Sequence, residues 1–387
     1  MITTFEFPVG YHDLHKTKIM DFQLNRWYSL GYCRLEDMQE AGAKIKKLSD
    51  WKSEMVRLAE KALAEGRLMN GTFHYRAAEF FTPGSDPDKL ALYDRFIDLF
   101  YNQLFLDEPL ERHQVPYQDT FLPALRIPAQ SEQQRGTLVI HGGFDSFIEE
   151  FYSMASYFAV RGYEVIMFEG PGQGGARRKY DLPLDYRWER PAKAVLDYFD
   201  RDQVAWLGIS MGGWMCFRAA AFEPRIRQVI ASSIAYDYME IPPKAVADFA
   251  RWMLKHPTLT NKLNDIQMKI QPQETWGVEN LMYISKTGTP YEASMAILQF
   301  NKETLKSDLV TQDVLILTGE EDHFIPMKLH DLQINALTNA HSVTARVFTR
   351  DEHGQNHCQV GNIGLALETM SGWLEEVQQV PVENPAR

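Results

Sequence analysis

The sequence predicts an α/β fold: a mostly parallel sheet with helices on both faces, preceded by an N-terminal helical domain and interrupted by an inserted helical cap. Three observations predict it. Helical patterns fill the first part of the chain, short β-branched runs alternate with helical segments after residue 136, and one interval between two such runs exceeds what a single crossover helix needs. We expect the helical domain at 1–115, where it would cover the functional site, the α/β core at 116–387 and the cap at about 235–312.

Three amphipathic segments make up the expected helical domain. Segments 36–48 and 51–64 are rich in Ala, Leu, Glu and Lys, which are strong helix formers, and 89–105 repeats the amphipathic pattern. Segment 117–127 instead alternates like a pair of strands. The character of the chain therefore changes near 106–116, where we place the domain boundary.

The core is expected from six short apolar runs separated by helical segments, which is the pattern of a parallel sheet covered on both faces. The predicted strands are 137–140, 164–168, 204–209, 229–234, 314–318 and 344–348. The predicted helices are 147–161, 191–199, 211–222, 328–337 and 360–377. The long interval after residue 234 is rich in aromatic and methionine side chains, which suit either the wall of a pocket or the cap's own core.

Composition and charge narrow the class of protein. With 45% hydrophobic and 24% charged residues the chain is expected to be globular, and 52 acidic against 40 basic residues give a formal net charge of -12, which would repel a phosphate backbone. We expect no nucleic-acid partner and no membrane association, because no apolar run is long enough to span a bilayer. Three widely spaced cysteines fit a reducing compartment, so a cytoplasmic location is expected.

Ser210 is the candidate nucleophile. Residues 208–212 read Gly-Ile-Ser-Met-Gly, a G-x-S-x-G pattern placed between a predicted strand and a predicted helix. A serine on such a sharp turn is held with its hydroxyl projecting above the sheet, and the small glycines allow strand and helix to pack closely. The flanking strand and helix favour a nucleophile turn over a chance match.

The base and the acid are expected further along the chain, because the order in this kind of fold is Ser, then acid, then His. Asp322 follows a predicted strand at the carboxyl edge of the sheet, with Glu320 and Glu321 as competitors. Two histidines, His353 and His357, follow the last predicted strand. His357 is favoured because it lies at the entrance of the final helix.

The oxyanion of a tetrahedral intermediate needs donors that point at it. The backbone N–H after the nucleophile belongs to Met211, and a second N–H is expected from Gly143 or Phe144 in the Gly-rich loop 141–145. A plain strand-to-helix turn would also favour glycine, so this loop supports the site without deciding it.

Two other patterns are weaker. Segment 170–175 satisfies G-x-G-x-x-G after a strand, but Pro171 removes a donor N–H and no strand ending in an acidic residue follows at the distance a dinucleotide site needs. His353, His357 and Cys358 lack a further Cys/His pair at zinc-ligand spacing, and Cys358 is expected to be packing at a helix start. We therefore expect neither a cofactor nor a metal.

Over 137–377 the chain resembles the α/β-hydrolases. More specific patterns resemble the polyketide-shortening hydrolases, a family that includes fungal yellowish-green pigment hydrolases and bacterial anthraquinone-pathway hydrolases, with a nicotine-degrading 2,6-dihydroxypseudooxynicotine hydrolase as a more distant relative. These patterns are the N-terminal helical region, segment 22–31, the turn 170–174 and the His-Cys-Gln signature at 357–359. The resemblance also favours His357 over His353, because the family's histidine precedes Cys-Gln.

The resemblance implies hydrolytic cleavage of a C–C bond in a β-dicarbonyl polyketide, a retro-Claisen shortening, with ring closure of the acyl-enzyme as an option. An esterase, thioesterase or peptidase with the same triad is the alternative, and a non-catalytic binding protein is a remoter one. The residues Tyr236, Asp237, Tyr238 and Trp252 are pocket candidates because they lie just beyond the strand near the nucleophile or in the cap.

The expected partner is a small-molecule polyketide, either released or tethered to a carrier protein. Carrier proteins are generally acidic, so a net charge of -12 would repel them unless Arg177, Arg178 and Lys179 form a docking patch. A released substrate is therefore favoured. The sequence leaves the oligomeric state open, with a homodimer as one option.

Overall fold

An eight-stranded sheet organises the computed structural model, which describes residues 2–270 and 272–379. The strands lie in the order β1-β2-β4-β3-β5-β6-β7-β8; β1 and β2 form an antiparallel hairpin, β2 pairs antiparallel with β4, and all later neighbours are parallel. This confirms the mostly parallel sheet expected from the sequence. The strands are β1 (Glu111–Tyr117), β2 (Thr120–Ile127), β3 (Gly136–His141), β4 (Tyr163–Phe168), β5 (Val204–Ile209), β6 (Ile226–Ser232), β7 (Asp313–Gly319) and β8 (Ser342–Phe348).

Five helices precede the sheet and eleven accompany it within the described part of the chain. The first five are α1 (Lys18–Ser29), α2 (Leu35–Lys44), α3 (Trp51–Ala64), α4 (Leu68–Phe80) and α5 (Asp88–Leu99), the last extended by a π turn at Phe100–Leu104. The helices of the core and cap are α6 (Tyr152–Ala159), α7 (Gly174–Arg178), α8 (Glu189–Phe199), α9 (Gly212–Ala220), α10 (Lys244–Met253), α11 (Pro257–Ile270), α12 (Pro272–Ser285), α13 (Pro290–Ile297), α14 (Lys302–Leu305), α15 (Lys328–Ala336) and α16 (Ile363–Gln379).

Alternate side chains of the strands enter two separate apolar layers, because successive residues of a strand point to opposite faces. In β5, Leu207 packs in the layer that contains α6 and α16, whereas its neighbour Trp206 packs in the layer that contains α8 and α9. Both side chains are fully buried. This double coverage explains why the central strands read as continuous apolar runs.

The N-terminal helices share the first of these layers with the sheet. Trp27 of α1, Phe73 of α4 and Phe96 of α5 belong to the same buried cluster as Ile140 of β3 and Leu207 of β5. Helices α6 and α16 cover the sheet in this layer, and the N-terminal helices pack into the same apolar cluster. Strand β1 begins at residue 111, inside the segment 1–115 that we assigned to the helical domain.

The cap occupies the interval between β6 and β7 and consists of α10 to α14. Strand β6 ends at Ser232, two residues before the predicted end at 234. The reason lies at Ser233, whose φ of 67° is in the left-handed region and terminates the extended conformation. Among the described residues no helix has the length and hydropathy needed to cross a bilayer.

The N-terminal segment is tied to the loop that follows β8. Gly10 donates its N–H to the Gly361 carbonyl at 2.7 Å, and the Gly361 N–H donates to Ser29 Oγ at 3.1 Å. Gly361 has a φ of 112°, and a Cβ there would lie 2.4 Å from the His353 carbonyl oxygen. Only glycine fits at residue 361, so the N-terminal segment contacts the chain after β8 beside the loop that carries His357.

Candidate active site

Ser210 lies on a sharp turn between β5 and α9. Its φ of 62° is in the left-handed region, which costs a non-glycine residue about 1–2 kcal/mol. The turn is held by the Ser210 N–H, which donates to the Ser232 carbonyl at 2.8 Å. A Cβ on Gly208 would lie 2.0 Å from the Gly212 carbonyl oxygen, so the strand and the helix can approach this closely only with glycine.

Ser210, His357 and Asp322 are brought together in one hydrogen-bonded line. Ser210 Oγ lies 2.8 Å from His357 Nε2, and His357 Nδ1 lies 2.6 Å from Asp322 Oδ2. With a proton on Nδ1 donated to the carboxylate, Nε2 is free to accept the serine proton. The arrangement has the geometry of an activated nucleophile, its base and the acid that orients the base.

Asp322 is held by four donors. Oδ1 accepts the N–H groups of Phe324 at 2.9 Å and Ile325 at 3.0 Å, and Oδ2 accepts Ser233 Oγ at 3.1 Å in addition to His357. Burial disfavours its charge, but the His357 charge and these hydrogen bonds outweigh burial and lower the pKa of Asp322. Burial alone would lower the pKa of His357, whereas the Asp322 carboxylate raises it. The carboxylate therefore makes His357 a stronger base.

The competing residues lie elsewhere. His353 is exposed at a left-handed turn with a φ of 58°. Glu320 accepts the Arg350 N–H at 2.7 Å, and Glu321 accepts Arg350 Nε at 2.8 Å. These contacts fix the outer loops after β7 and β8, and they leave Asp322 as the carboxylate in contact with His357.

Two backbone N–H groups near Ser210 can hold an oxyanion. In the described structure, neither the Met211 nor the Phe144 N–H has a protein acceptor, whereas the Gly143 N–H donates to Ser146 Oγ at 3.0 Å. A Cβ on Gly143 would lie 2.6 Å from the Met211 nitrogen, which shows how closely the two loops approach. Of the two alternatives left open by the sequence, Phe144 keeps its donor unused.

The turn 170–175 supports this loop. Gln173 Nε2 donates to the Gly142 carbonyl at 2.7 Å and to the Gly143 carbonyl at 2.9 Å. Gln173 is 1% exposed, so the glycine-rich turn that resembles a dinucleotide motif is buried against the loop 141–145, which we call the oxyanion loop. Sequence reasoning missed this function. The sequence contained one signal of this function, because the Gly-rich turn comes directly after a buried strand.

Asp145, at the end of the same loop, is also held by hydrogen bonds, a role that sequence reasoning gave to none of the side chains involved. Its carboxylate accepts Arg178 Nη1 at 2.6 Å and Asn280 Nδ2 at 3.2 Å, and its carbonyl accepts Arg76 Nη2 at 3.2 Å. Arg178 comes from α7, Arg76 from α4 and Asn280 from the cap. The oxyanion loop is thus positioned by three separate parts of the chain.

A cavity of about 570 Å³ lies over Ser210 and His357. It is lined mainly by apolar and aromatic side chains of α1, the oxyanion loop, the cap and the loop after β7, with Gln23, Arg26, Ser146 and Glu150 among its polar members away from the triad. Apolar lining residues include Ile19, Phe22, Leu30, Phe80, Phe144, Tyr238, Ile241, Trp276, Phe324 and Ile325. A cavity with this lining suits a largely apolar or aromatic ligand. Helix α1 belongs to the N-terminal helical domain, which was expected from the sequence to cover the site.

The cap candidates separate into two groups. Tyr238 lines the cavity, whereas Tyr236, Asp237 and Trp252 do not. Trp252 is 48% exposed on α10, and the Asp237 side chain accepts the Met239 N–H at 2.8 Å and caps a short turn. Trp276 of α12 also lines the cavity, and its Nε1 donates to the Phe80 carbonyl at 3.2 Å.

The three consecutive cations at 177–179 do not form an exposed patch. The Arg178 side chain is 1% exposed and pairs with Glu79 and Asp145. Arg177 donates to the Tyr283 carbonyl at 2.7 Å, and Lys179 pairs with Asp94. The docking patch considered from the sequence is therefore corrected: burial removes its central residue, and ion pairs engage the other two.

Comparisons with known proteins agree with this architecture. A family model described as alpha/beta hydrolase fold matches residues 137–347. The chain is 25% identical over 353 residues to hydrolase acrC of Aspergillus aculeatus, covering 81% of each chain, and 34% identical over 211 residues to 20-hydroxy-prefusarin hydrolase FUS2 of Gibberella moniliformis, covering 48% of this chain and 50% of the other. The crystal structure of 2,6-dihydroxy-pseudo-oxynicotine hydrolase superposes with a TM-score of 0.65 at 21% identity, covering 91% of this chain and 95% of that one.

Proposed function

Since the chain belongs to the alpha/beta hydrolase fold family, we propose that it is a serine hydrolase that cleaves a carbon–carbon bond of a β-dicarbonyl polyketide. One observation carries the proposal: the line Ser210–His357–Asp322 opens into a largely apolar cavity enclosed by α1 and the cap. A largely apolar pocket over a serine nucleophile favours an extended apolar substrate over a small polar one.

The first step is attack of Ser210 on a ketone carbon. His357 Nε2 takes the proton of Ser210 Oγ as the Oγ–C bond forms, and the carbonyl oxygen becomes an oxyanion that accepts the N–H groups of Met211 and Phe144. Asp322 stabilises the imidazolium and keeps its ring oriented. Each donor aimed at an oxyanion contributes on the order of 10²- to 10³-fold in rate.

The second step breaks the C–C bond. The tetrahedral adduct collapses, and the electron pair of the bond between the attacked carbon and the carbon flanked by two carbonyls passes into the second carbonyl as an enolate. His357, as imidazolium, protonates the enolate carbon to give a ketone. Water, deprotonated by His357, then hydrolyses the acyl-enzyme, and the overall products are a carboxylic acid and a shortened ketone.

The choice of a C–C bond rests on the resemblance and the relatives. The His-Cys-Gln signature at 357–359 and the turn 170–174 are patterns of the polyketide-shortening hydrolases. One relative bears the name 20-hydroxy-prefusarin hydrolase. Within this group we propose a role like that of bacterial anthraquinone-pathway hydrolases. Attack on the acyl-enzyme by a carbon of the same chain would close a ring, and this outcome is part of the proposal.

Active-site labelling tests the nucleophile. A fluorophosphonate probe should label Ser210 of the folded protein, while Ser210→Ala and His357→Gln should lose labelling. His353→Gln is the matched control and should label normally, because His353 is exposed outside the site. Absence of labelling in the wild-type protein would refute the serine mechanism.

Substrate comparison tests the bond that is cleaved. We expect a phenyl-substituted 1,3-diketone to yield an acid and a methyl ketone by mass spectrometry, with a higher kcat/KM than a simple aryl ester. Turnover of the aryl ester with no cleavage of the diketone would favour the esterase or thioesterase alternative. Candidate polyketides of increasing length then define the natural chain length.

A further inference from the structure

A buried network of ion pairs connects the cavity to the oxyanion loop. It joins residues of four helices, α1, α4, α5 and α7, with residues of the oxyanion loop and of the segment just before α6. The members are the cations Arg26, Arg76, Lys89 and Arg178 and the carboxylates of Glu79, Asp145 and Glu150. Their side chains are 0–4% exposed except for that of Arg26, which is 14% exposed.

The network holds four cations and three carboxylates, so one positive charge is left over. Glu150 bridges Arg26 and Arg76, and Glu79 contacts Arg76, Arg178 and Lys89. No other carboxylate among the described residues forms an ion pair with any of the four cations.

The charge states follow from the contacts. Burial would raise the pKa of Asp145, but Arg178, Lys89 and Arg76 lower it to about 2. Burial lowers the pKa of Lys89, and two carboxylates oppose that effect, Glu79 at 2.9 Å and Asp145 at 3.9 Å. The three cationic neighbours therefore hold Asp145 as a carboxylate.

Arg26 is where this surplus charge meets the cavity. Its guanidinium lines the cavity, and only two of its N–H donors find acceptors in the described structure: Nη2 donates to Glu150 and Nη1 to Gln23 Oε1 at a long 3.4 Å. A guanidinium has five donors, so several are unused. Most other lining residues are apolar and give these donors no partner.

We propose that the substrate carries an anionic oxygen group, a carboxylate or an acidic enolate, that binds Arg26 in the cavity. Glu150 is shared between Arg26 and Arg76, so an anion at Arg26 would supply the fourth negative group that the network lacks. The planar guanidinium suits a carboxylate or a delocalised enolate, because adjacent N–H groups can bind two oxygens together. This inference rests on the proposed function only for the identity of the reacting carbonyl groups.

A purely structural role for Arg26 makes a different prediction. In that case Arg26 would serve only to neutralise Glu150 and to pack its guanidinium 4.8 Å from the Trp27 ring centroid. Charged and neutral ligands of equal shape would then bind equally well. Binding measurements with matched ligand pairs therefore separate the two roles.

The experiment measures binding by calorimetry to Ser210→Ala, so that no turnover is needed. One arm uses phenyl-capped 1,3-diketones with a terminal carboxylate on spacers of three lengths, each paired with its carboxamide. The other arm pairs an acidic 2-acyl-1,3-dione with its enol methyl ether. We expect at least one charged member to bind about 10- to 100-fold more tightly than its neutral partner, and the arm that shows the preference identifies the anion.

Variants at residue 26 decide the assignment. In the Ser210→Ala background, Arg26→Gln should bring the ratio of the affinities for the charged and the neutral ligand close to 1. Arg26→Lys should retain part of this preference, because lysine keeps the positive charge but lacks the adjacent N–H groups of the guanidinium. Arg34→Gln is the matched control: it removes an exposed cation of the same region and should leave the preference unchanged. Circular dichroism verifies the folding of each variant. If Arg26→Gln does not fold, Arg26→Lys replaces it as the variant in which a reduced preference is measured.

Two results are distinguishable failures. Equal binding of charged and neutral partners in both arms by Ser210→Ala, or a preference that survives Arg26→Gln, overturns the anion site. An anion preference that depends on Arg26, combined with no C–C cleavage by the wild-type protein, overturns the proposed reaction and leaves the anion site in place.

Discussion

At Asp322, side-chain and backbone donors converge on one carboxylate. The oxygen that faces His357 also accepts Ser233 Oγ, and the same Ser233 oxygen accepts the Cys358 N–H at 3.2 Å. Ser233 therefore links the acid to the loop that carries the base. Residues of this kind act through their neighbours, and a rearrangement at Ser233 would change the direction in which His357 points.

Asp322→Asn should lower kcat by about 10⁴-fold, because the amide favours the wrong tautomer of His357. The carboxylate raises the pKa of His357, and His357 must be neutral to accept a proton. Loss of the negative charge lowers that pKa, so the acidic limb of the kcat/KM profile should move to lower pH. A pH–rate profile measures both effects. An acidic limb that stays in place or moves to higher pH would contradict the role given to Asp322.

At the scale of elements, the sequence predicted best those segments whose pattern of apolar residues matches their burial in the folded protein. Strand β5 and helix α3 coincide with the predicted 204–209 and 51–64. The triad residues were recoverable because each one follows a strand at the same edge of the sheet. The distances between the triad residues could not be predicted, because these distances depend on Ser233 and on the packing of loops far apart in the chain.

Helix α4 shows why other elements were missed. From Gly71 to Phe80 nearly every side chain is buried, including the charged Arg76 and Glu79, so the segment has no polar face and no amphipathic period. A helix surrounded on all sides cannot be recognised from periodicity alone. The same reason hid the part that its ion pairs play in the site.

The turn 170–175 yields a prediction at this scale. Gln173→Leu removes two hydrogen bonds to the oxyanion loop while filling a similar volume, and it should lower kcat about tenfold with little change in KM, because the loop's donor serves the transition state more than the ground state. Gln130→Leu, at an exposed loop, is the control. Steady-state kinetics check it, and a change confined to KM would argue against positioning.

For the whole molecule, the net charge of -12 bears on substrate delivery. The consecutive cations at 177–179, which could have attracted an acidic carrier, are partly buried and ion-paired. Long-range repulsion of an acidic partner is therefore not offset at 177–179. We propose that the substrate arrives as a released small molecule.

The salt dependence of turnover tests this proposal. At low ionic strength, a substrate tethered to an acidic carrier protein should turn over more slowly than the same free acyl chain, and the tethered rate should rise with salt because salt screens repulsion between like charges. The free chain, measured in parallel, should show a weaker dependence. A tethered rate that is faster at low salt and falls as salt is added would indicate an attractive docking surface instead.

The junction of Gly10 and Ser29 with Gly361 has a consequence for making chimaeras. Helix α1 lines the cavity, and the segment before it is bonded to the loop that carries His357, so the parts that shape selectivity and the part that holds the base are joined. Exchanging N-terminal helices between relatives to alter the accepted substrate would disturb the histidine loop as well. The first helical region and the chain after β8 should therefore be transplanted as one unit, although they lie at opposite ends of the sequence.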